Sequence, residues 1–332
     1  MRKLLSLMAI AITTMAQGAP EPVPPRTYRL VDLGPSSDVT LLDINNKGQL
    51  VGTRVSGGPF VYDGSFKNLG FRGVPSSIND DGAIVGSYCP DSTCVESRAF
   101  LIDKHGEFTD LIPGVQSFAR KINDKGEIIG VASFPGTSNP KRGFIWRDGA
   151  IEYLEAEPLD INRRGHFVAR SFDGPRQSFF YAGGQSTALP FDAVALNDSD
   201  VIVGGIRQVL PPGYFQALDV YTWTDGVVWQ MPGEWEGINW SVADINNRDE
   251  ILGDTWLGHH WPTDLLPFNP VLWRRGQNQL LTNMLRPSDY AQWILSGASR
   301  INDKDEILGG AYTRTSFQHR VVLLQPIDED EQ

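Results

Sequence analysis

Short apolar runs, broken every few residues by Gly, Asn, Asp or Pro, dominate the chain, and no helical periodicity is sustained. One pattern recurs seven times: apolar, Asn, two variable residues, Gly or Asp, one variable residue, two apolar residues, Gly. It reads LDINNKGQLVG, SSINDDGAIVG, RKINDKGEIIG, LDINRRGHFVA, ALNDSDVIVG, ADINNRDEILG and SRINDKDEILG. The anchoring asparagines are Asn45, Asn79, Asn123, Asn162, Asn197, Asn246 and Asn302, spaced by 34, 44, 39, 35, 49 and 56 residues. That average is close to the period of a four-stranded propeller blade.

Each repeat position has a physical reading. The apolar residue before Asn ends a strand and the later apolar pair begins another, with a tight turn between them in which Asn bonds nearby backbone. Gly48, Gly82, Gly126 and Gly165 supply the positive φ such turns need. Asp200, Asp249 and Asp305 take that place in the last three repeats, where Asp tolerates the left-handed region better than most residues. The closing Gly of the pattern (Gly52, for example) falls inside a strand and implies a bulge or close backbone approach. Ala169 replaces it in the fourth repeat, which implies a looser contact.

A third strand follows in each repeat, as in GPFVYDG, RAFLIDKHG and RGFIWRDG, and a fourth comes at once, as in FKNLG, FTDLI and IEYL. The seventh repeat stops after its third strand. TYRLVDLG, residues 27–34, carries the missing signature at the other end of the chain. The expected fold is therefore all-β: a seven-bladed β-propeller, four antiparallel strands per blade, with an N-terminal strand closing the last blade. Blade cores start near residues 41, 75, 119, 158, 193, 242 and 298. One propeller would occupy residues 19–326, followed by an acidic tail at 327–332.

On IN-x-x-G-x-IVG, the AFLI and GFIW strands followed by a turn, and the segment LLTNMLRPSDYAQWILSGASRINDKDEILG, the chain resembles the bacterial HAF extracellular repeat family. The resemblance covers residues 27–326. It implies an exported repeat protein and supplies no catalytic residues, because the matching positions are structural.

Composition narrows the function classes. The 332 residues carry 29 basic and 40 acidic side chains, a net charge of −11, which speaks against a nucleic-acid footprint. Residues 1–18 read as a signal peptide: Arg2 and Lys3, an apolar stretch from Leu4 to Ile12, and Ala16-Gln17-Gly18 as the cleavage site. That stretch is too short to span a bilayer, so no membrane insertion is expected. Its removal leaves 27 basic against 40 acidic side chains, or −13. The expected location is periplasmic or extracellular, and a monomer is expected. Cys89 and Cys94, the only cysteines, should form a disulfide in an oxidising compartment.

The turns alternate between two faces. Connections a–b and c–d are short and repeated; b–c and d–a are long and variable, so they form the expected ligand face. Loop aromatics gather in blades five to seven, and Tyr214, Trp235, Trp240 and Trp261 are the candidate ligand-binding residues. Trp293 belongs to the repeat and should pack between blades. His259 and His260, the one paired histidine, join the candidates, since metal or base chemistry is open to them. His105, His166 and His319 stand alone.

Glu234 and Glu236 flank Trp235, but neighbours on one loop seldom straddle a scissile bond as glycosidase acids do. Asp43, Asp160 and Asp244 precede repeat asparagines and would start innermost strands, where converging oxygens could hold Ca²⁺. Lys121 and Arg300 occupy the same repeat position, which favours a solvated or ion-paired ring over a metal site. No other cofactor is expected. The function expected is a non-catalytic binding or scaffold module for a glycan or protein partner; the alternative is a polysaccharide- or glycoside-active propeller enzyme.

Overall fold

Seven four-stranded antiparallel sheets stand around a central channel as a β-propeller. The computed structural model describes residues 26–137, 140–207, 218–231, 238–257 and 268–327. Six blades run in simple chain order, a to d from the axis outward: residues 39–68, 73–110, 116–154, 156–188, 192–230 and 238–280. Blade 7 takes strands a to c from Trp293–Ile301, Ile307–Thr313 and His319–Ile327, and its outer strand from Thr27–Pro35. Thr27 pairs with Ile327 and Pro35 with Arg320, so the two ends of the chain close the ring as the repeat count requires.

The pattern's strand glycine is explained by a bulge repeated in every blade. Registers of the innermost strands shift between Leu41 and Asp43, Pro75 and Ser77, Ala119 and Lys121, and at the equivalent place in the other four. The bulge brings the backbone of strand a against strand b. A Cβ on Gly52 would lie 2.2 Å from the carbonyl oxygen of Thr40, and one on Gly204 2.1 Å from that of Asp192. Ala169, the exception, faces Pro158 and is fully buried.

Apolar residues from neighbouring blades make the core, which therefore forms a chain of clusters around the ring. Ile129, Ile145, Ile161 and Phe167 join blades 3 and 4; Leu33, Ile44, Leu50 and Leu323 join blades 7 and 1. Trp293 packs, partly buried, against the cluster between blades 6 and 7, as its place in the repeat predicts.

Cys89 and Cys94 are bridged across the b–c loop of blade 2, with Cα atoms 4.9 Å apart. Asp91 Oδ1 orders that loop by accepting the backbone N–H groups of Thr93 and Cys94. Unreduced protein should weigh about two hydrogens less than its reduced form and resist thiol reagents. Replacing both cysteines with Ser should cost no more than about 2 kcal/mol, because the closed loop is short. Full labelling without reductant would refute the bridge. Among the described residues no helix is long and apolar enough to cross a membrane.

Candidate functional site

The short-turn end of the channel is built from two concentric rings of side chains. In the first, each repeat asparagine donates from Nδ2 to the backbone carbonyl of the asparagine in the next blade. Asn45 reaches Asn79, and so on round to Asn302, which returns to Asn45, at 2.9 to 3.3 Å. Their Oδ1 atoms accept the turn's own N–H groups, as Asn123 does from Lys125 and Glu127. The second ring is the next residue along: Asn46, Asp80, Asp124, Arg163, Asp198, Asn247 and Asp303. Six of its seven junctions carry a backbone N–H bonded to the following side chain, at 2.7 to 2.9 Å. At the seventh, Arg163 spans Asp124 and Asp198 at 3.5 and 3.4 Å.

The aspartates that replace turn glycines do more than tolerate a positive φ of 59 to 65°. Asp200, Asp249 and Asp305 each accept Nδ2 of the asparagine in the preceding blade. At three of the four places where glycine stays, the preceding blade's glutamate or glutamine fills that space: Glu127 lies against Gly165, Glu306 against Gly48 and Gln49 against Gly82. Gly126, for which the preceding blade offers only Ala83, faces open space. A cavity of about 160 Å³ opens here, yet the asparagines and ring residues that line it are bonded to one another.

Farther along the channel lies the ring that sequence reading raised for calcium. Asp43, Asp160 and Asp244 sit next to the end of their strands, not at the start, because the repeat's asparagine turn begins two residues later. Lys121 Nζ lies 3.0 Å from Asp43 Oδ1, and Arg300 Nε lies 3.7 Å from the same oxygen. The carboxylates also tie blades together: Asp43 accepts Ile78 N–H, Asp160 accepts Leu196 N–H and Asp244 accepts Ile301 N–H, at 3.0 to 3.1 Å. Burial raises the carboxyl of Asp160, and pushes Asp244 up to about 6 against the pull of Arg300 and Lys121. Among the described residues no group of three His, Cys, Asp or Glu is placed to hold a metal.

Beyond that ring, toward the long loops, a cavity of about 260 Å³ is lined by Arg120, Lys121, Arg170, Arg300, Asp160 and Asp244, with apolar residues of blades 4 to 6. Arg120 is the residue left over by the blade 3 bulge, which explains how a basic side chain enters the channel from an innermost strand. It pairs with Glu157, as does Arg170 at 2.9 Å, while its Nε is buried without a hydrogen-bond partner. Burial lowers the Arg120 pKa, which the neighbouring Glu157 only partly offsets. A second cavity of about 150 Å³, lined by Arg170, Arg176 and Asp192, adjoins it.

Tyr214, Trp235, His259, His260 and Trp261 lie outside the described residues, as do Glu234 and Glu236. Of Trp240 only the backbone is described, and it pairs with Thr255 inside strand Ile238–Ile245 instead of standing in a loop. The strands that flank the undescribed segments 208–217, 232–237 and 258–267 end on the long-loop face. Sequence reading missed the second ring, although Asn or Asp follows the repeat asparagine in six of seven repeats. It also missed Arg120 and Arg170, which no repeat rule singles out.

No family model matches the chain, and no curated protein does. Solved structures do. The β-propeller domain of the Trilobed protease from Pyrococcus furiosus, described as having an open velcro topology, is 13% identical with a TM-score of 0.56, over 87% of this chain and 95% of that one. An oligogalacturonate lyase in complex with manganese is 12% identical with a TM-score of 0.53, over 96% and 100%. An acylaminoacyl peptidase is 13% identical with a TM-score of 0.55, and the chain spans only 52% of its length. At such identities the likeness is one of fold. Here the velcro is closed, by strand Thr27–Pro35.

Proposed function

We propose that this chain is an exported, monomeric binding module whose long-loop face takes an acidic glycan into the channel mouth. The observation that carries the reading is the contrast between the two ends. At the short-turn end the ring side chains are spent on neighbouring blades, whereas the long-loop end holds four basic side chains around a cavity and a buried Arg120 nitrogen without a partner. Four basic side chains line this cavity against two carboxylates, Asp160 and Asp244, an excess of positive charge that suits a carboxylated ligand. The loop aromatics would add stacking faces for sugar rings. Export is supported by the disulfide and by the signal-like residues 1–18, and the repeat agrees with an HAF-type protein.

The test is binding of a uronic-acid polysaccharide against a neutral glucan of the same length. Replacing Trp235, Trp240 and Trp261 together by Ala should weaken uronate binding by about 30-fold or more, since buried aromatic anchors often carry 2 kcal/mol or more. Lys47→Ala and Lys125→Ala, in the short turns, should change nothing. Melting curves on each variant separate lost affinity from lost fold. Equal binding of both polymers, or loss in the short-turn variants alone, would reject the face. Product release from the polymer would instead favour a polysaccharide-active enzyme.

A further inference from the structure

Ser296, His319 and Ser36 meet on the long-loop side of blade 7, and none of them lines the channel cavity. Three elements deliver them. Ser296 belongs to the innermost strand Trp293–Ile301, His319 opens strand His319–Ile327, and Ser36 follows strand Thr27–Pro35. The innermost strand of blade 7 carries two register shifts, where each other blade carries one. The additional shift lies between Leu295 and Gly297, so Ser296 is the residue the ladder skips. Bulges of this kind re-aim a side chain. Gly310 opposite makes the room: a Cβ there would stand 2.7 Å from His319 Nε2 and 2.8 Å from Ser296 Oγ.

Hydrogen bonds set the proton positions. Ser36 Oγ donates to the backbone carbonyl of His319 at 3.3 Å, which leaves its lone pairs to accept from Nδ1 at 2.8 Å. Nδ1 then carries the ring proton, and bare Nε2 accepts the O–H of Ser296 at 2.9 Å. Burial lowers the His319 pKa, so the neutral, proton-accepting form holds at neutral pH. The ring is held from one side by Tyr312, with centroids 4.7 Å apart. Ser36, Ser296 and His319 are each only partly buried, which leaves Ser296 within reach of solvent.

A hydroxyl, a base that accepts its proton, and a third group that orients the base are the parts acyl transfer requires. We propose that Ser296 and His319 are a nucleophile–base pair that hydrolyses small exposed esters, with Ser36 as the positioning residue. Ser296 Oγ would bond to the ester carbonyl carbon while its proton passes to His319 Nε2. The ester C–O bond then breaks, and the leaving alcohol takes that proton. Water, deprotonated by the same Nε2, would release the acyl group as a carboxylic acid and restore Ser296. No redox partner or cofactor enters this balance.

The mature protein should hydrolyse p-nitrophenyl acetate above the buffer rate and take up one fluorophosphonate per chain, mapped by peptide mass spectrometry to Ser296. Ser296→Ala should lose both. His319→Gln should lower hydrolysis by about 100-fold or more, the usual worth of a positioned base. Ser36→Ala should lower kcat at unchanged KM, with recovery in Ser36→Thr. If His319→Gln does not fold, Ser296→Ala decides alone, because it removes a single hydroxyl. No adduct at Ser296, or full hydrolysis by a Ser296→Ala variant that melts like the parent, would overturn the proposal.

Discussion

Deleting residues 19–34 should lower unfolding stability by about 5 kcal/mol or more and end cooperative melting of the ring. The deleted strand joins two different inter-blade cores. Tyr28 and Leu30 pack with Leu281, Met284, Leu285 and Leu295 between blades 6 and 7, while Leu33 packs with Ile44 and Leu50 against blade 1. Each large apolar side chain withdrawn from water is worth about 1.5 to 3 kcal/mol, so three of them account for the estimate before any ladder bond is counted. The loss also strips polar partners. Asp289, buried in the helix Pro287–Gln292, accepts the N–H of Leu30 at 2.8 Å, and Arg26 reaches both Glu250 and Asp305. Those two acids are nearly inaccessible and would keep Arg248, Arg274 and the amide of Asn246 as partners, one cation fewer. The exposed edge of strand His319–Ile327 would invite association. Urea unfolding and sedimentation of the truncated chain test this; a truncated protein that melts like the parent would show that closure contributes little.

Asn123→Ala should cost at least about 3 kcal/mol, a large effect for one polar side chain. Asn123 is 5% exposed, donates to the Asn162 carbonyl at 2.9 Å and accepts from the N–H groups of Lys125 and Glu127 at 3.0 and 2.9 Å. Alanine would leave the buried Asn162 carbonyl and the part-buried N–H groups of Lys125 and Glu127 without their partner, at roughly 1 to 3 kcal/mol each for the groups shielded from water. Asn123→Asp should be no better, since a carboxylate cannot donate to the Asn162 carbonyl and would stand beside Glu127, 2.6 Å from the replaced nitrogen. Lys125→Ala, two residues on, removes only an exposed bond to Arg164 and should stay within about 0.5 kcal/mol of the parent. Equal denaturation midpoints for Asn123→Ala and Lys125→Ala would remove the asparagine ring from any account of stability.

Much of the architecture was legible because its causes are local. A turn that needs positive φ, a strand glycine pressed against a neighbouring carbonyl and an alternating apolar run all act within about ten residues, and seven copies make them unmistakable. Strand order, blade count and the closing role of residues 27–34 follow from that repetition. So does the Cys89–Cys94 bridge, which needs only proximity along the chain. The site was less legible. Trp240 reads as loop because its neighbours are turn-like, yet its backbone pairs with Thr255, and that pairing depends on a strand beyond the turn.

What tertiary structure alone decided lies between blades. Asn45 meets the carbonyl of Asn79 only because blades 1 and 2 stand side by side, and Asn302 meets Asn45 only because the ring closes. Asp200, read in sequence as a tolerated substitute for glycine, turns out to accept Asn162 of the blade before it. Arg120 enters the channel because a bulge leaves it over, and its partner Glu157 comes from the next blade. His319 stands alone in the sequence, yet Ser36, 283 residues away, reaches its ring from the other end of the chain. Repetition determines backbone conformation by short-range sterics and hydrogen bonding, which the sequence alone carries. Which side chains face one another across a blade boundary depends on closure of the ring, and that geometry exists only in the folded chain.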